Sequence, residues 1–428
     1  MKILIINYRY FVSGGPERYM FNVSSALEKW NHEVIFFSIN YAKNQPSEFS
    51  NFFVKSIGTP EQVYFREHTF HPSAIYNSLK RLLYDPEVEK RIMDLVEYSK
   101  PDVAYILKYL RKLSPAVLVG LKKKNIPIVV RLSDYEMACP NGIFLRDDKP
   151  CEECAKKNLW MSVKYKCVQD SYVASILNLL ATNYHRKQKY FDVIDTFVVT
   201  NNFMLEKMLE AKIPKEKIKV IPTFTDSVGI NSATIPENPP SLAYVGRLER
   251  IKGVHTILEA LHFLKKEGQN NLPAIYIVGE GNPKYEKLLL DLTARFNLQT
   301  HVKFLGYLEK ENINKLIQKS WATILPSLWY ENLPNSLLES YANGVPVIAS
   351  NIGSIPEFIR NEQTGFLFEA GDASDLAKKI TQIQNPTTNY HMRAMVVNYS
   401  KKFTEGSHIN NLENVFLNVI KNRQEKMI

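Results

Sequence analysis

The 428 residues suffice for two to three domains, and a composition of 45% hydrophobic and 23% charged residues excludes a disordered or fibrous chain. The net charge of +10 lies almost wholly in residues 1–222, with 33 Lys+Arg against 24 Asp+Glu; residues 223–428 carry 21 against 20. Such a field suits an anionic partner such as lipid headgroups or a phosphorylated acceptor. It excludes single-stranded nucleic acid, since the basic residues lack interleaved aromatics; a solvated basic surface is the plain alternative.

The opening MKILIINYRYF begins like a secretory leader, but its apolar run is five residues long and reads as a first strand. No stretch approaches the roughly 20 apolar residues of a membrane span. The expected location is the cytoplasm, with a peripheral place on the inner face of the membrane. A turn at Ser13-Gly14-Gly15-Pro16 follows, then a helix over 17–29 and a strand over 33–38. Further strands are predicted over 103–107, 127–132, 196–200 and 219–222. Continuous apolar strands separated by helical patterns predict a parallel sheet covered on both faces.

All four cysteines fall between 139 and 167 in the spacing C-x11-C-x2-C-x12-C: Cys139, Cys151, Cys154 and Cys167. That spacing suits a structural zinc site of four thiolates, pinning an insertion over 140–166 too short and polar to bury its own core. Free thiols and disulfides are the alternatives, the latter disfavoured in a cytosolic chain. Residues 172–190 form a helix with apolar positions at Val173, Ile176, Leu177, Leu180 and Tyr184, ending in Arg186-Lys187-Gln188-Lys189. It reads either as an interfacial helix that meets lipid or as a core helix with basic residues at its C-terminus. The core reading takes precedence.

Residues 223–240 are rich in Pro, Ser, Thr and Asn and predict a linker. The second half restarts the rhythm, with strands over 242–245, 274–278, 302–305, 323–325 and 345–349. Helices are predicted over 254–266, 284–296, 312–319, 336–343 and 411–423. Two doubly wound α/β domains joined by a hinge hold their ligand in the cleft between them.

Two segments of this half carry the chemistry. In Glu331-Asn332-Leu333-Pro334-Asn335-Ser336-Leu337-Leu338-Glu339, two carboxylates bracket a loop and a first helical turn whose N–H groups form a ready anion site. Glu331 can accept from sugar hydroxyls, and Glu339 can chelate a vicinal diol such as a ribose. The plain alternative is a solvated loop acid and an ordinary helix acid. In Gly246-Arg247-Leu248-Glu249-Arg250-Ile251-Lys252-Gly253, Gly246 permits a tight turn beneath a ligand while Arg247 and Lys252 place two cations at a strand end. That pairing suits a diphosphate.

With Gly14-Gly15-Pro16-Glu17-Arg18, Val278-Gly279-Glu280-Gly281, Phe304-Leu305-Gly306-Tyr307 and Gly353-Ser354-Ile355-Pro356-Glu357, these segments stand in a fixed order along nearly the whole chain. In that order the chain resembles glycosyltransferase family 4, retaining enzymes of the GT-B fold, and a subset of it with a four-cysteine insertion. The resemblance implies two Rossmann-like domains facing a cleft, with a C-terminal helix (about 405–428) crossing back to the first. Residues 1–222 would form the acceptor side, with the cysteine insertion at 139–167, and residues 241–404 the nucleotide-sugar side. It implies hexose transfer from a nucleotide diphosphate sugar to a saccharide or lipid-linked hydroxyl, in surface polysaccharide or glycolipid assembly.

The resemblance further implies that Arg247 and Lys252 bind the diphosphate, Glu331 the hexose and Glu339 the ribose. Asn332, Leu333, Pro334 and Asn335 would line the donor, with Gly14, Gly15 and Gly246 bringing backbone close to it. No catalytic metal is implied, and the chain contains no D-x-D. The chain departs from the family at Arg131-Leu132-Ser133-Asp134-Tyr135, where many members have a His-Asp pair. Ser133 cannot act as a base at neutral pH; Asp134 can position the acceptor or simply cap a helix N-terminus. The competing readings are a nucleotide-sugar epimerase of related fold and a zinc-containing scaffold protein with a decayed site.

Overall fold

The computed structural model describes residues 1–63, 72–225, 239–269 and 271–425. The first half is built on a parallel sheet of β1 (Lys2–Asn7), β2 (Glu33–Phe37), β5 (Val103–Lys108), β6 (Ile128–Arg131), β9 (Thr196–Val199) and β10 (Ile218–Val220). Two small pairs flank it: β3 (Ile39–Asn40) with β4 (Val54–Lys55), and β7 (Leu145–Arg146) with β8 (Lys149–Pro150). The spatial order is β10-β9-β6-β5-β1-β2. Ile3 to Ile6 are all fully buried, as a strand covered on both faces requires.

The second half repeats the plan with β11 (Ser241–Val245), β12 (Ala274–Val278), β13 (Val302–Gly306), β14 (Ala322–Leu325), β15 (Val347–Ser350) and β16 (Gly365–Phe368). Its order, β13-β12-β11-β14-β15-β16, is all parallel. This is the strand order 3-2-1-4-5-6 of a doubly wound nucleotide-binding sheet, with a switch point between β11 and β14. The predicted α/β architecture is the observed one. The edge strand β16 was not foreseen; its four residues follow a turn at 361–364 and give too short an apolar run to stand out.

The last helix, Glu405–Glu425, leaves the second half and packs on the first. Its Ile409, Leu412 and Phe416 are fully buried in the N-terminal core, with Phe416 edge-on to Tyr105 at 5.4 Å. His408 fixes the crossing: one ring nitrogen bonds the Tyr19 hydroxyl at 2.8 Å, the other the Pro222 carbonyl at 2.7 Å. Arg423 donates to Asp195 at 2.9 Å from the far end. The helix begins six residues before the position periodicity suggests, because Glu405-Gly406-Ser407 carries no apolar signal. Of the predicted linker 223–240, residues 226–238 lie outside the described residues, as do 426–428 of the predicted last helix.

Candidate active site

Strands β11 and β14 are neighbours, but the chain passes through β12 and β13 between them, so a crevice opens at their carboxyl ends. The segment Gly246–Gly253 leaves β11 at this crevice, and residues 326–334 leave β14 beside it. Main-chain bonds lay the two together. The Leu328 N–H donates to the Ile251 carbonyl at 2.8 Å, while the Gly246 N–H ties the first segment to the end of β12 at the Val278 carbonyl, 3.0 Å away. Gly253 is in the left-handed region (φ 69°), where a Cβ would stand 1.9 Å from the Pro326 carbonyl oxygen. Gly246 has a similar role: the Tyr244 hydroxyl donates to the Arg247 carbonyl at 2.8 Å, and a Cβ on Gly246 would meet that hydroxyl at 2.9 Å. Gly253 is therefore required by close packing on backbone, and Gly246 by the Tyr244 side chain beside it.

Glu331 is buried here, and its Oε1 accepts three bonds: from Lys252 Nζ at 2.5 Å, Ser327 Oγ at 2.8 Å and Trp329 Nε1 at 3.0 Å. Oε2 takes none of these three bonds. Lys252 also stands 5.2 Å from the Trp329 ring centroid, a cation–π distance. The structure thus brings Lys252 and Glu331 together. Arg247 turns outward instead, its side chain 67% exposed and paired with Glu249 at 2.7 Å. An exposed pair of this kind is worth about 0–1 kcal/mol, so it opposes reorientation toward an anion only weakly.

The helix Asn335–Ala342 starts on Pro334 with no side-chain cap, and its Leu337 N–H turns back to the Pro334 carbonyl at 3.1 Å. Leu333 packs against the core beneath it, and Glu339 stands one turn in, half-buried. The first loop approaches from the other domain: a Cβ on Gly15 would lie 3.7 Å from Asn335 Nδ2. Gly14, in extended backbone, caps the Gly15–Lys29 helix without a side-chain bond. Asn332 bolts the halves together. Its Oδ1 accepts from Thr200 Oγ1 and from Asn201 Nδ2, which also reaches the Asn332 carbonyl.

The acceptor-side candidates are tied down. Ser133 Oγ accepts from Arg131 Nη1 at 3.0 Å. Asp134 pairs with Lys108 at 2.8 Å and accepts from the Glu136 N–H at 3.0 Å. Burial works against charge on Lys108, but Asp134 and Glu136 outweigh it and raise its pKa. Burial first, then Asp134, pushes the Glu136 carboxyl up. No helix starts at Asp134; the segment is a chain of turns, so the helix-cap alternative is corrected to a turn cap.

The four cysteines are free thiols. Burial, then neighbouring thiols, raises the pKa of Cys154 to about 12 and of Cys167 to about 11. Burial also raises Cys139, whose Sγ donates to Asn141 Oδ1 at 2.9 Å. Among the described residues, no group of three or more His, Cys, Asp or Glu side chains stands in position to hold a metal ion. The zinc site expected from the spacing is not shown here, and the Cys139 thiol bonds within its own turn. The insertion also reaches the loops after β11 and β14, which its spacing did not suggest. Glu152 accepts from the Tyr330 hydroxyl at 3.0 Å and pairs with Lys207, while Asp148 pairs with Arg250 at 2.9 Å. A cavity of about 870 Å³ lies in the N-terminal half, bounded by Glu136, Cys154, Trp160, Leu179 and Arg186, away from the Lys252–Glu331 pair.

Several site residues escaped sequence reasoning. Ser354 Oγ donates to the carbonyls of Glu331 (2.7 Å) and Asn332 (2.6 Å), holding the loop from behind. Glu357 accepts from the N–H groups of Asn202 and Phe203 at the start of a helix in the other half. Both lie in the Gly353–Glu357 motif, which was visible, but their partners are far away in sequence. Ser327 and Trp329 sit four and two residues before Glu331, a local signal that could have been used.

Residues 229–403 match the family described as glycosyl transferases group 1. A glycogen synthase of Mycobacterium tuberculosis is 32% identical over 36% of this chain and 36% of that protein. A putative colanic acid biosynthesis glycosyltransferase of Escherichia coli is 24% identical over 47% of this chain and 50% of its own length. The chain therefore spans between about a third and a half of the length of these curated relatives. An Anabaena protein, HepE, solved in complex with UDP-glucose, superposes over 100% of this chain and 99% of that one, with a TM-score of 0.62 and 17% identity.

Proposed function

We propose that this chain moves a hexose from a nucleotide diphosphate sugar to a hydroxyl acceptor with retention of configuration, a reading supported by the match of residues 229–403 to glycosyl transferases group 1. The observation that carries the reading is the Lys252–Glu331 pair set at the switch-point crevice, opposite the Gly14–Gly15 loop. In this reading residues 1–222 and the C-terminal helix hold the acceptor, and residues 241–404 the donor. The nucleotide sugar named for the Anabaena structure and the polysaccharide named for the E. coli relative support a sugar-nucleotide donor and a place in surface polysaccharide or glycolipid assembly.

The chemistry follows from charge. As the glycosidic bond breaks, negative charge develops on the departing diphosphate. Lys252 meets it as a point charge, Arg247 as a fork once it leaves Glu249, and the open N–H groups at Asn335 add helix-terminal potential. Glu331 Oε2 holds a sugar hydroxyl and Glu339 the ribose diol. Asp134 is bound to Lys108 and Ser133 to Arg131, so neither is placed as a general base. The leaving phosphate takes the acceptor proton on the same face of the sugar, which gives retention. The test is the anomeric outcome: NMR of the product from an α-linked donor should show an α linkage, and a β linkage would overturn retention. The cysteine cluster enters as a structural zinc site on its spacing alone; metal analysis of chelator-free protein finding well below one zinc per chain removes it.

A further inference from the structure

The helix Tyr172–Lys187 is inverted relative to an ordinary surface helix. Its buried side carries Ser175, Asn178, Ala181 and His185 with Leu179, whereas Tyr172, Val173, Ile176, Leu180 and Tyr184 face outward. Val173 is 67% exposed and Leu180 58%. The expectation that this apolar stripe enters the core is therefore wrong; an amphipathic helix with a covered apolar face would show the opposite pattern. Two packed neighbours extend the surface. Trp160 on the helix Trp160–Lys164 is 62% exposed, and Tyr76 on the helix Pro72–Leu83 is 67% exposed. These three helices carry half of the exposed large hydrophobic side chains of the described residues, and contiguous exposure of that kind marks an interaction surface.

Charge identifies the occupant. None of the three helices contains an Asp or Glu, and Asp170 is the single acid between Asn158 and Lys189. Lys164, Lys166, Arg186, Lys187 and Lys189 lie on or beside two of these helices, and none of them forms a salt bridge among the described residues. Lys166 instead sits 4.8 Å over the Tyr172 ring. A second copy of this chain would bring the same cations against themselves, whereas an anionic bilayer offers both an apolar layer and negative headgroups. We propose that this face of the N-terminal half docks on an anionic phospholipid membrane, with the apolar stripe in the acyl boundary and the lysines and arginines at the headgroups.

The experiment is co-sedimentation of the full chain with vesicles of phosphatidylcholine, with and without phosphatidylglycerol. The wild type should pellet with the anionic vesicles and be released as salt shortens the screening length. Val173→Glu combined with Leu180→Glu should weaken binding about tenfold or more, since two apolar anchors are lost to charge. Arg186→Glu combined with Lys187→Glu should weaken it by about tenfold on anionic vesicles only. Should a variant fail to fold, wild-type tryptophan fluorescence supplies the same answer, because brominated lipid should quench Trp160. Absence of binding to anionic vesicles, no quenching, or unchanged binding by the Val173/Leu180 variant would overturn the proposal. So would sedimentation velocity showing a dimer that this variant dissociates, which would assign the face to a second copy.

Discussion

The loops on the two sides of the crevice are held by different balances of main-chain and side-chain bonds. On the C-terminal side, Gly246, Leu248, Gly279 and Leu328 all engage through main-chain N–H groups. Glycines and strand ends set these turns, and side chains such as Ser354 and Lys252 brace the loop after β14. On the N-terminal side, side chains set the shape: Arg131 on Ser133, Lys108 on Asp134, and Thr200 and Asn201 on Asn332. A backbone-built surface is fixed once the glycines are in place, whereas a side-chain-built one is rebuilt by single substitutions. The loops after β11 and β14 are thus set by the fold, and those on the N-terminal side by details particular to this chain.

The contrast can be broken by mutation on either side. Lys252→Ala, and separately Arg247→Ala, should lower turnover by about 10²–10³ while the chain stays folded, the effect of losing one preorganised group at a developing charge. Near-wild-type turnover would remove the donor assignment. A smaller effect concerns the seam where the last helix crosses to the first half. Burial lowers the His408 pKa to about 4, so between that value and an unfolded value near 6.5 the unfolded chain binds more protons. The contribution is present above about pH 6.5 and is lost as pH falls toward 4, reaching roughly 2 kcal/mol by pH 5. Urea unfolding at pH 7 and pH 5 should show this difference in the wild type and a reduced one in His408→Gln; equal pH dependence would contradict it. The smallest effect is expected at Ser133→Ala, with turnover within about threefold, the worth of one lost hydrogen bond. A hundredfold loss would place Ser133 in the chemistry and erase the contrast.

Legibility in the sequence divides along the same line. The six-segment order of glycines and charges pointed to the switch-point crevice because tight turns leave glycines at fixed spacings. The central strands were readable for a related reason: runs such as Ile3–Ile6 are apolar throughout only when both faces are covered. Long-range side-chain bonds leave no such trace. Ser354 behind Glu331, Glu357 on the Asn202 helix and His408 between Tyr19 and Pro222 join residues 23, 155 and 389 positions apart. The Tyr172–Lys187 stripe shows a second limit, since periodicity reveals that a helix has an apolar face but not which way the face points. Arg247 shows a third: its type and place were readable, but its present pairing with Glu249 was not.

The most direct measurement is thermal unfolding of the wild type and of Lys252→Ala in the presence of UDP-, GDP- and ADP-sugars. A donor held by the C-terminal half should stabilise the wild type by about 2.7 kcal/mol at 100 times its Kd, with Lys252→Ala shifted far less at the same concentration. No shift of the wild type with any of the three, or an equal shift of both proteins, would contradict the account.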